Sequence, residues 1–265
     1  MSLLSPQELP SVSEKNAINK VNYTFAQTLI LGFLAGAYIA MGGLLSLIVG
    51  YGFPELSASN PGMQKILSGA TFPIGLILVV IAGAELFTGN NASFISGALN
   101  KKYNWGAVLK NWVLVYFSNF AGVLFFVYFL IYLTGITGSD PWHNSIITIA
   151  FNKVSMPWHV VFLKGIGANW LVCLAIWLGL SSTSVPGKII GLWWPVMCFA
   201  TIGYEHCIAN MFFVPLGILE GAPLGWSDFF LKNLIPSTLG NIVGGGLFVG
   251  TLYWYIYNRA GEKSI

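Results

Sequence analysis

The stretches GAELFTGN (residues 83–90) and GYEHCIAN (residues 203–210) share one pattern, in which Gly-x-Glu is followed by four residues and an Asn. Each stretch interrupts a long apolar run with a single carboxylate. A carboxylate inside a membrane is costly unless it is paired or hydrogen-bonded, so each glutamate marks a functional site. Two equivalent interruptions predict a duplicated membrane unit with one broken helix in each copy, which is typical of channels and transporters.

The composition places the whole chain in a membrane. Hydrophobic residues make up 55% of the chain and charged residues 8%, whereas soluble domains have about 25% charged residues. Each charge-free run, counting the two interrupted ones as single spans, exceeds the ~20 residues that a bilayer-crossing helix needs. These runs are 21–54, 66–84 with 86–100, 111–139, 165–187, 189–204 with 206–219, and 233–258. We predict an all-α protein of six transmembrane helices, with the second and fifth broken.

The domain organisation follows from these spans and from the positive charges. Residues 1–20 are polar, lack the features of a signal peptide and are predicted to form a cytoplasmic segment. Residues 21–258 form a single transmembrane domain, and 259–265 a cytoplasmic tail. Lysine and arginine are more frequent on the side of the termini, which predicts that both termini are cytoplasmic. The two sets are Lys15, Lys20, Lys101, Lys102, Lys110, Lys188, Arg259 and Lys263 against Lys65, Lys153, Lys164 and Lys232.

An internal repeat extends beyond the glutamates. The motif Lys-Asn at 110–111, followed by Asn119, recurs 122 residues later as Lys-Asn at 232–233, followed by Asn241. Residues 33–36 match residues 162–165, which would place Ala40 opposite Asn169. Each copy, 21–134 and 158–258, holds three spans. Because three is an odd number, the two copies must enter the membrane from opposite sides as inverted repeats.

The polar residues of the breaks have two possible roles. A segment that leaves the helix must satisfy its backbone groups, and we interpret Glu85 with Asn90 as bracing an ordered loop at 86–88 rather than contacting a transported species. Equivalent bracing residues are Glu205 and Asn210 of the second break and Asn119 and Asn241 of the repeat motif. His206 is the one histidine within a predicted span, and its place beside a break favours a pore-lining role over simple packing.

The remaining site residues indicate the cargo. Half-helix N-termini at mid-membrane favour negative charge, and Thr88 and Asn169 add hydrogen bonding without fixed charge. The sequence has no ring of acidic residues for cations, so the expected cargo is a small anion or its neutral acid. Phe72 and Phe199 either narrow the pore or simply pack inside the broken spans. We expect no metal, since Cys173, Cys198 and Cys207 lack metal-ligand spacing and are interpreted as buried thiols.

Several motifs resemble the formate/nitrite transporter family, and its bacterial formate channels in particular. They are GAELFT at 83–88, NW at 111–112, Asn169 with LVCLA at 171–175, EHCIANM at 205–211 and NIVGGG at 241–246. The resemblance runs from about Ala26 to Tyr257. It implies an aquaporin-like protomer, a homopentamer with one pore in each protomer, and a bacterial inner membrane.

The resemblance also implies roles for single residues. The central histidine of the family matches His206, with Thr88 and Asn169 as its neighbours. The loop interrupting the second helix gates the pore in this family. The outer constriction would use Phe72, Val172 and Phe199, the inner one Leu76 and Leu86, and the vestibule lysine matches Lys153. The chain departs from formate channels at Glu85, where these often carry Asp, and at Lys164, which is similar to nitrite channels.

The predicted function is transport of small monovalent weak-acid anions, with formate first and with protonation by His206 as one mechanism. Nitrite or hydrosulfide transport within the same family is the alternative, and acetate and lactate have the same chemistry. A neutral-solute pore of the aquaporin type would predict paired Asn-Pro-Ala motifs and a pore arginine, but the sole arginine is Arg259 in the tail. We expect no enzymatic activity, no cofactor and no nucleic-acid partner.

Overall fold

The computed structural model describes residues 3–257, and the regular secondary structure of this part is helical, apart from one isolated β-bridge between Leu3 and Ser182. Within it, six helical stretches are long and apolar enough to cross a membrane. They are Phe25–Tyr51, Pro61–Ile81, Trp105–Tyr132, Trp158–Ser181, Val185–Ile202 and Trp226–Tyr257. The further helices are Leu9–Val21, Pro54–Ser59, Phe87–Leu99, Trp142–Ser155 and Cys207–Leu219. The predicted six-span all-α fold is confirmed; the predicted tail lies outside the described residues.

Five of the six spans begin earlier than the charge-free runs predicted, and the first begins later, at 25 rather than 21. The second, third, fourth and sixth spans start at 61, 105, 158 and 226, so that Lys65, Lys110, Lys164 and Lys232 lie within helices. These lysines lie in the second turn of their helices, near the helix ends, where a long side chain can extend to water. A helix cap marks the true start of the third span, where Asn104 accepts a hydrogen bond from the Ala107 N–H at 2.9 Å.

Two glycines end the helices at the breaks. Gly83 and Gly203 have φ of +80° and +78°, a left-handed conformation that glycine adopts without strain. The second span ends at Ile81 and the chain becomes helical again at Phe87. The fifth span ends at Ile202 and a helix restarts at Cys207. Residues 87 and 88, predicted to lie in the first loop, therefore belong to the helix that follows it.

The two copies pack in the same way, with the first span against the third and the fourth against the sixth. Asn119 donates to the Gly32 carbonyl, and Asn241 donates to the Gly165 carbonyl, each at 2.7 Å. This pairing shows that the predicted match of residues 33–36 with 162–165 was wrong by four residues, about one helical turn. Short apolar helical motifs look alike when displaced by a turn, and the amide contacts remove the ambiguity.

In this register Asn169 corresponds to Gly36 and not to Ala40. The equivalent residues Tyr116 and Thr238 meet each other, with their hydroxyl oxygens 2.9 Å apart. A residue that touches its own counterpart lies next to the axis relating the copies. The two copies are therefore related by a pseudo-two-fold axis near this hydroxyl pair.

Two shorter helices cover the breaks. The N-terminal helix Leu9–Val21 packs on the half-helix Phe87–Leu99, and the loop helix Trp142–Ser155 packs on the half-helix Cys207–Leu219. Each break therefore receives side chains from an element outside the six spans.

The cysteines differ from one another in burial. Cys173 and Cys207 are buried, as predicted, but Cys198 is exposed on the fifth span. The prediction of a third buried thiol was wrong because an apolar run does not reveal which face of its helix packs inward. Among residues 3–257, no group of three or more metal-binding side chains comes together.

Candidate functional site

The first break carries a buried charge pair. Glu85 is 2% exposed, and its carboxylate lies 2.9 Å from the Lys20 ammonium of the N-terminal helix. Asn90 donates to the same carboxylate at 2.8 Å and accepts from Lys20 at 2.9 Å. Asn90 also donates to Asn111 Oδ1 at 2.9 Å. The carboxylate is therefore paired and hydrogen-bonded, as a buried charge requires.

The second break repeats this arrangement. Glu205 is 3% exposed, and its carboxylate oxygens accept from the Lys153 ammonium at 2.9 and 3.0 Å. Asn210 donates to it at 2.8 Å and Asn233 at 3.1 Å. Lysine, glutamate and two asparagines thus recur, and in both breaks the glutamate binds the lysine and the asparagine five residues later. The other asparagine differs, because Asn111 accepts from Asn90 whereas Asn233 donates to Glu205 itself. Lys20 and Lys153 come from unrelated elements.

In each break one asparagine side chain bonds two backbone groups of the loop. Asn119 accepts from the Phe87 N–H at 2.9 Å and donates to the Glu85 carbonyl at 2.8 Å. Asn241 accepts from the Cys207 N–H at 2.8 Å and donates to the Glu205 carbonyl at 2.9 Å. These amides, rather than the side chains of the glutamates, bind the loop backbone that the sequence analysis assigned to Glu85 and Asn90.

His206 and Thr88 meet across the two copies. His206 Nε2 lies 3.0 Å from Thr88 Oγ1, and the Ala209 N–H donates to His206 Nδ1 at 3.1 Å. Because Nδ1 accepts a hydrogen bond, the pattern assigns a neutral imidazole whose Nε2–H donates to the threonine. The threonine hydroxyl hydrogen is then free to donate to another group.

Asn169 joins the half-helix Phe87–Leu99 to the sixth span. Its amide nitrogen donates to the Thr88 carbonyl at 3.1 Å, to Asn91 Oδ1 at 3.1 Å and to the Asn241 carbonyl at 2.7 Å. All three residues predicted for the centre of the site therefore lie together. Because the Asn169 amide group is occupied by these contacts, it fixes the position of Thr88.

The predicted constriction residues share one apolar core. The rings of Phe72 and Phe199 lie edge to face, with their centroids 5.7 Å apart, and Phe199 stacks on the His206 ring at 5.7 Å. Leu76, Leu86 and Val172 are each 2% exposed and belong to the same core.

Two cavities approach this core. A cavity of 280 Å³, here called the N-terminal cavity, is lined by residues of the N-terminal helix and by Glu85 and Leu86. A cavity of 160 Å³, here called the histidine cavity, is lined by His206, Phe72 and Phe199 among others. Tyr23 lines the N-terminal cavity and Tyr51 lines the histidine cavity, so the two cavities lie at opposite ends of the first span.

Comparison with known proteins identifies the family. The family model described as "Formate/nitrite transporter" matches residues 8–255. The chain belongs to the formate/nitrite transporter family. It is 44% identical to the "Probable formate transporter" of Methanothermobacter thermautotrophicus, over 97% of this chain and 98% of the relative. It is 35% identical to "Formate channel FocA" of Escherichia coli (strain K12), over 98% and 96%.

A solved structure gives the same result for the fold. The chain superimposes on a "Pentameric formate channel with formate bound" with a TM-score of 0.77 and 34% identity, covering 88% of this chain and 98% of that one. The predicted membership of the formate/nitrite transporter family is confirmed, and the chain is a multi-pass membrane protein.

The two predicted vestibule lysines of this formate/nitrite transporter lie near one another. Lys153 and Lys164 both line an open cavity of 530 Å³ that shares Tyr51 and Ile149 with the histidine cavity. Lys153 is paired with Glu205, whereas Lys164 lies 3.5 Å from the sulfur of Met156. Of the two, Lys164 therefore has the ammonium without a carboxylate partner among the described residues.

The sequence analysis missed three of the residues that surround the two buried glutamates. Lys20 lies far from Glu85 in sequence, and no local pattern links them. Asn111 and Asn233 were noticed only as carriers of the repeat, although their recurrence after a lysine in both copies was a usable signal. The hydroxyls of Ser46 and Ser68, in the wall of the histidine cavity, were also missed.

Proposed function

We propose that this formate/nitrite transporter is a channel for small monovalent weak-acid anions, with formate as its main substrate. The observation that carries the proposal is the contact between His206 and Thr88, buried behind the Phe72–Phe199 ring pair. A neutral hydrogen-bonding pair inside an apolar barrier suits a small ion that must bind briefly and leave. The names of the relatives, a formate transporter and a formate channel, support the same substrate.

In the proposed path an anion meets a charged mouth, two apolar constrictions and, between them, the Thr88 hydroxyl. Lys164 attracts anions to the mouth that it shares with Lys153, because its ammonium has no carboxylate partner among the described residues, whereas Lys153 is paired with Glu205. The outer constriction consists of Phe72, Val172 and Phe199, and the inner one of Leu76 and Leu86. Apolar constrictions disfavour a bare anion because its hydration is lost there. Between them, the freed Thr88 hydroxyl donates to the anion while Asn169 holds the threonine in place.

His206 has two possible roles in this proposal. In the observed geometry it donates Nε2–H to Thr88, which polarises the threonine hydroxyl toward an anion. Donation of a proton would require an imidazolium, whose Nδ1–H could no longer accept from the Ala209 N–H. Proton transfer therefore requires the first turn of the second half-helix to rearrange, whereas hydrogen-bond donation does not.

The assembly and placement are also proposals. We propose a homopentamer, as printed for the similar solved channel, with two inverted repeats at 21–134 and 158–258. The bacterial inner membrane, with both termini in the cytoplasm, accords with the greater number of lysines and arginines on that side.

A proteoliposome flux panel tests the function. Formate, nitrite, hydrosulfide, acetate and lactate would be compared at several pH values, with glycerol as the neutral control. We expect formate to pass fastest, with a pH-dependent rate. Faster flux of nitrite than of formate would favour nitrite as the main substrate, in agreement with the similarity of Lys164 to nitrite channels. Glycerol flux without anion flux would overturn the proposal in favour of a neutral-solute pore.

A further inference from the structure

Two serine hydroxyls face each other in the wall of the histidine cavity. Ser46 of the first span and Ser68 of the second have their oxygens 2.7 Å apart, and Ser46 is 3% exposed. Both line the cavity that also contains Lys153, His206 and the Phe72 ring. The pair therefore lies where an anion would be held before it meets the constriction.

The hydrogen bonding of this pair leaves one donor uncommitted. A serine in a helix ordinarily donates to the carbonyl of the preceding turn, and Thr28 and Thr71 of the same two spans do so, at 3.1 and 2.9 Å. The described side-chain partner of Ser46 is instead Ser68. Each hydroxyl has one hydrogen, and a contact between two hydroxyls uses only one of them. The second hydrogen is available to a guest in the cavity.

The repeat shows that helix packing alone does not demand these hydroxyls. In the register defined by Gly32 and Gly165, Ser46 corresponds to Gly179. A Cβ added at Gly179 would lie 3.2 Å from Leu192. The second copy therefore packs this position on an apolar side chain, and the polar pair is confined to the cavity that contains the histidine.

We propose that the Ser46–Ser68 pair is a positioning site that donates a hydrogen bond to an oxygen of the small carboxylate before the Phe72–Phe199 constriction. The proposal rests on the proposed anion transport. The Lys153 ammonium is neutralised by Glu205, so a neutral hydroxyl holds the anion without trapping it. In this way the pair sets the apparent affinity and leaves the maximal rate to the constriction.

The test is a set of variants measured for formate flux against concentration in proteoliposomes. The set is Ser46→Ala, Ser68→Ala, the double variant, and Thr28→Val as the control that removes a hydroxyl outside the cavity. Each single variant keeps one hydroxyl with a free hydrogen, so its KM stays within about twofold of the wild type. The double variant raises KM about tenfold, the effect of one lost hydrogen bond to a charged group, with little change in maximal rate.

A packing role predicts a different pattern. Each single variant already breaks the bond between the helices, so single and double variants would then be equally impaired. That result, an unchanged KM in the double variant, or a change confined to maximal rate would overturn the positioning site. Thr28→Val should match the wild type in KM and in oligomeric state. A wild type that carries no formate would instead refute the proposed function itself.

Discussion

The two breaks have the same frame and different chemistry. In both, one asparagine holds the loop backbone and a lysine–glutamate pair neutralises the buried charge. The residue before each half-helix differs: it is Leu86 in the first copy and His206 in the second, and His206 alone caps its helix through the side chain. Duplication supplied a stable way of breaking a helix in a membrane, and one copy added the ionisable ring.

The copies are also complementary. The second copy provides His206 and the first provides its partner Thr88, at a position where the second has Ile208. The central contact therefore exists only because two unlike half-helices meet. Residues with an equivalent in the other copy should respond alike to the same substitution. Residues found in one copy, such as His206 and Thr88, should not.

The largest effect should come from the two asparagines of the frame. Asn119→Leu and Asn241→Leu each remove an amide that satisfies three buried backbone groups. Stranded buried partners cost roughly 1–3 kcal/mol each, so we expect a loss of about 4 kcal/mol in both variants, seen in detergent melting. Ser118→Ala, a buried change at a neighbouring position, is the control. Unequal losses would show that the two frames are not equivalent.

The next effect distinguishes the copies. His206→Phe should lower formate flux about a hundredfold, the low end of what a positioned acid or base contributes, and should flatten its pH profile. Leu86→Phe, the matched change in the first copy, should alter the rate but leave the pH profile. The measurement is proteoliposome flux across pH, with native mass spectrometry to verify the oligomer. An unchanged pH profile in His206→Phe would contradict proton donation by the ring, and unchanged flux as well would contradict any role for it.

Glu85→Gln tests whether the first carboxylate is structural. Glutamine keeps an acceptor for Asn90 but loses the charge that faces Lys20, and the 24% exposed lysine side chain can regain water. We expect a loss of about 2 kcal/mol in stability and unchanged preference among anions. Altered preference with unchanged melting would show that Glu85 contacts the cargo.

Lys164→Gln should give the smallest change. The lysine lines the open cavity next to the histidine cavity, and its ammonium has no carboxylate partner among the described residues, so its loss should raise the formate KM about threefold, an effect that salt screens. Lys20→Gln and Lys153→Gln should instead lower stability, because each leaves a buried carboxylate without its cation. Flux measured at low and at high ionic strength tests the Lys164 effect. A KM shift that persists in high salt would indicate a change of shape rather than of charge.

Much of this fold could be predicted from the sequence. Apolar length gives the spans, and a lone glutamate two residues after a glycine reveals each break, because both signals are local. The asparagines 119 and 241 were found as a repeat and do brace the loops. The register between the first and fourth spans could not be predicted, since a one-turn displacement preserves an apolar pattern.

The site was harder to predict from the sequence, because its contacts join residues that are far apart in the chain. His206, Thr88 and Asn169 were grouped through family resemblance, and the structure brings them together. The lysine of the first break comes from the N-terminal helix, which lies outside the repeat, so nothing in the second copy pointed to Lys20. The loop ends at Phe87, whose backbone N–H donates to the Asn119 side chain. This contact joins distant residues, so no local pattern indicated the boundary.

The neutrality of the breaks has an electrical consequence. Each glutamate has a lysine ammonium 2.9 Å away, so neither break presents net charge to a membrane voltage. An elementary charge crossing 100 mV changes its energy by about 2.3 kcal/mol, and a paired site is almost indifferent to that field. The voltage therefore acts on the passing anion rather than on the channel wall. Current through such a protein would follow the voltage at once, without the delay of a charged segment moving in the field.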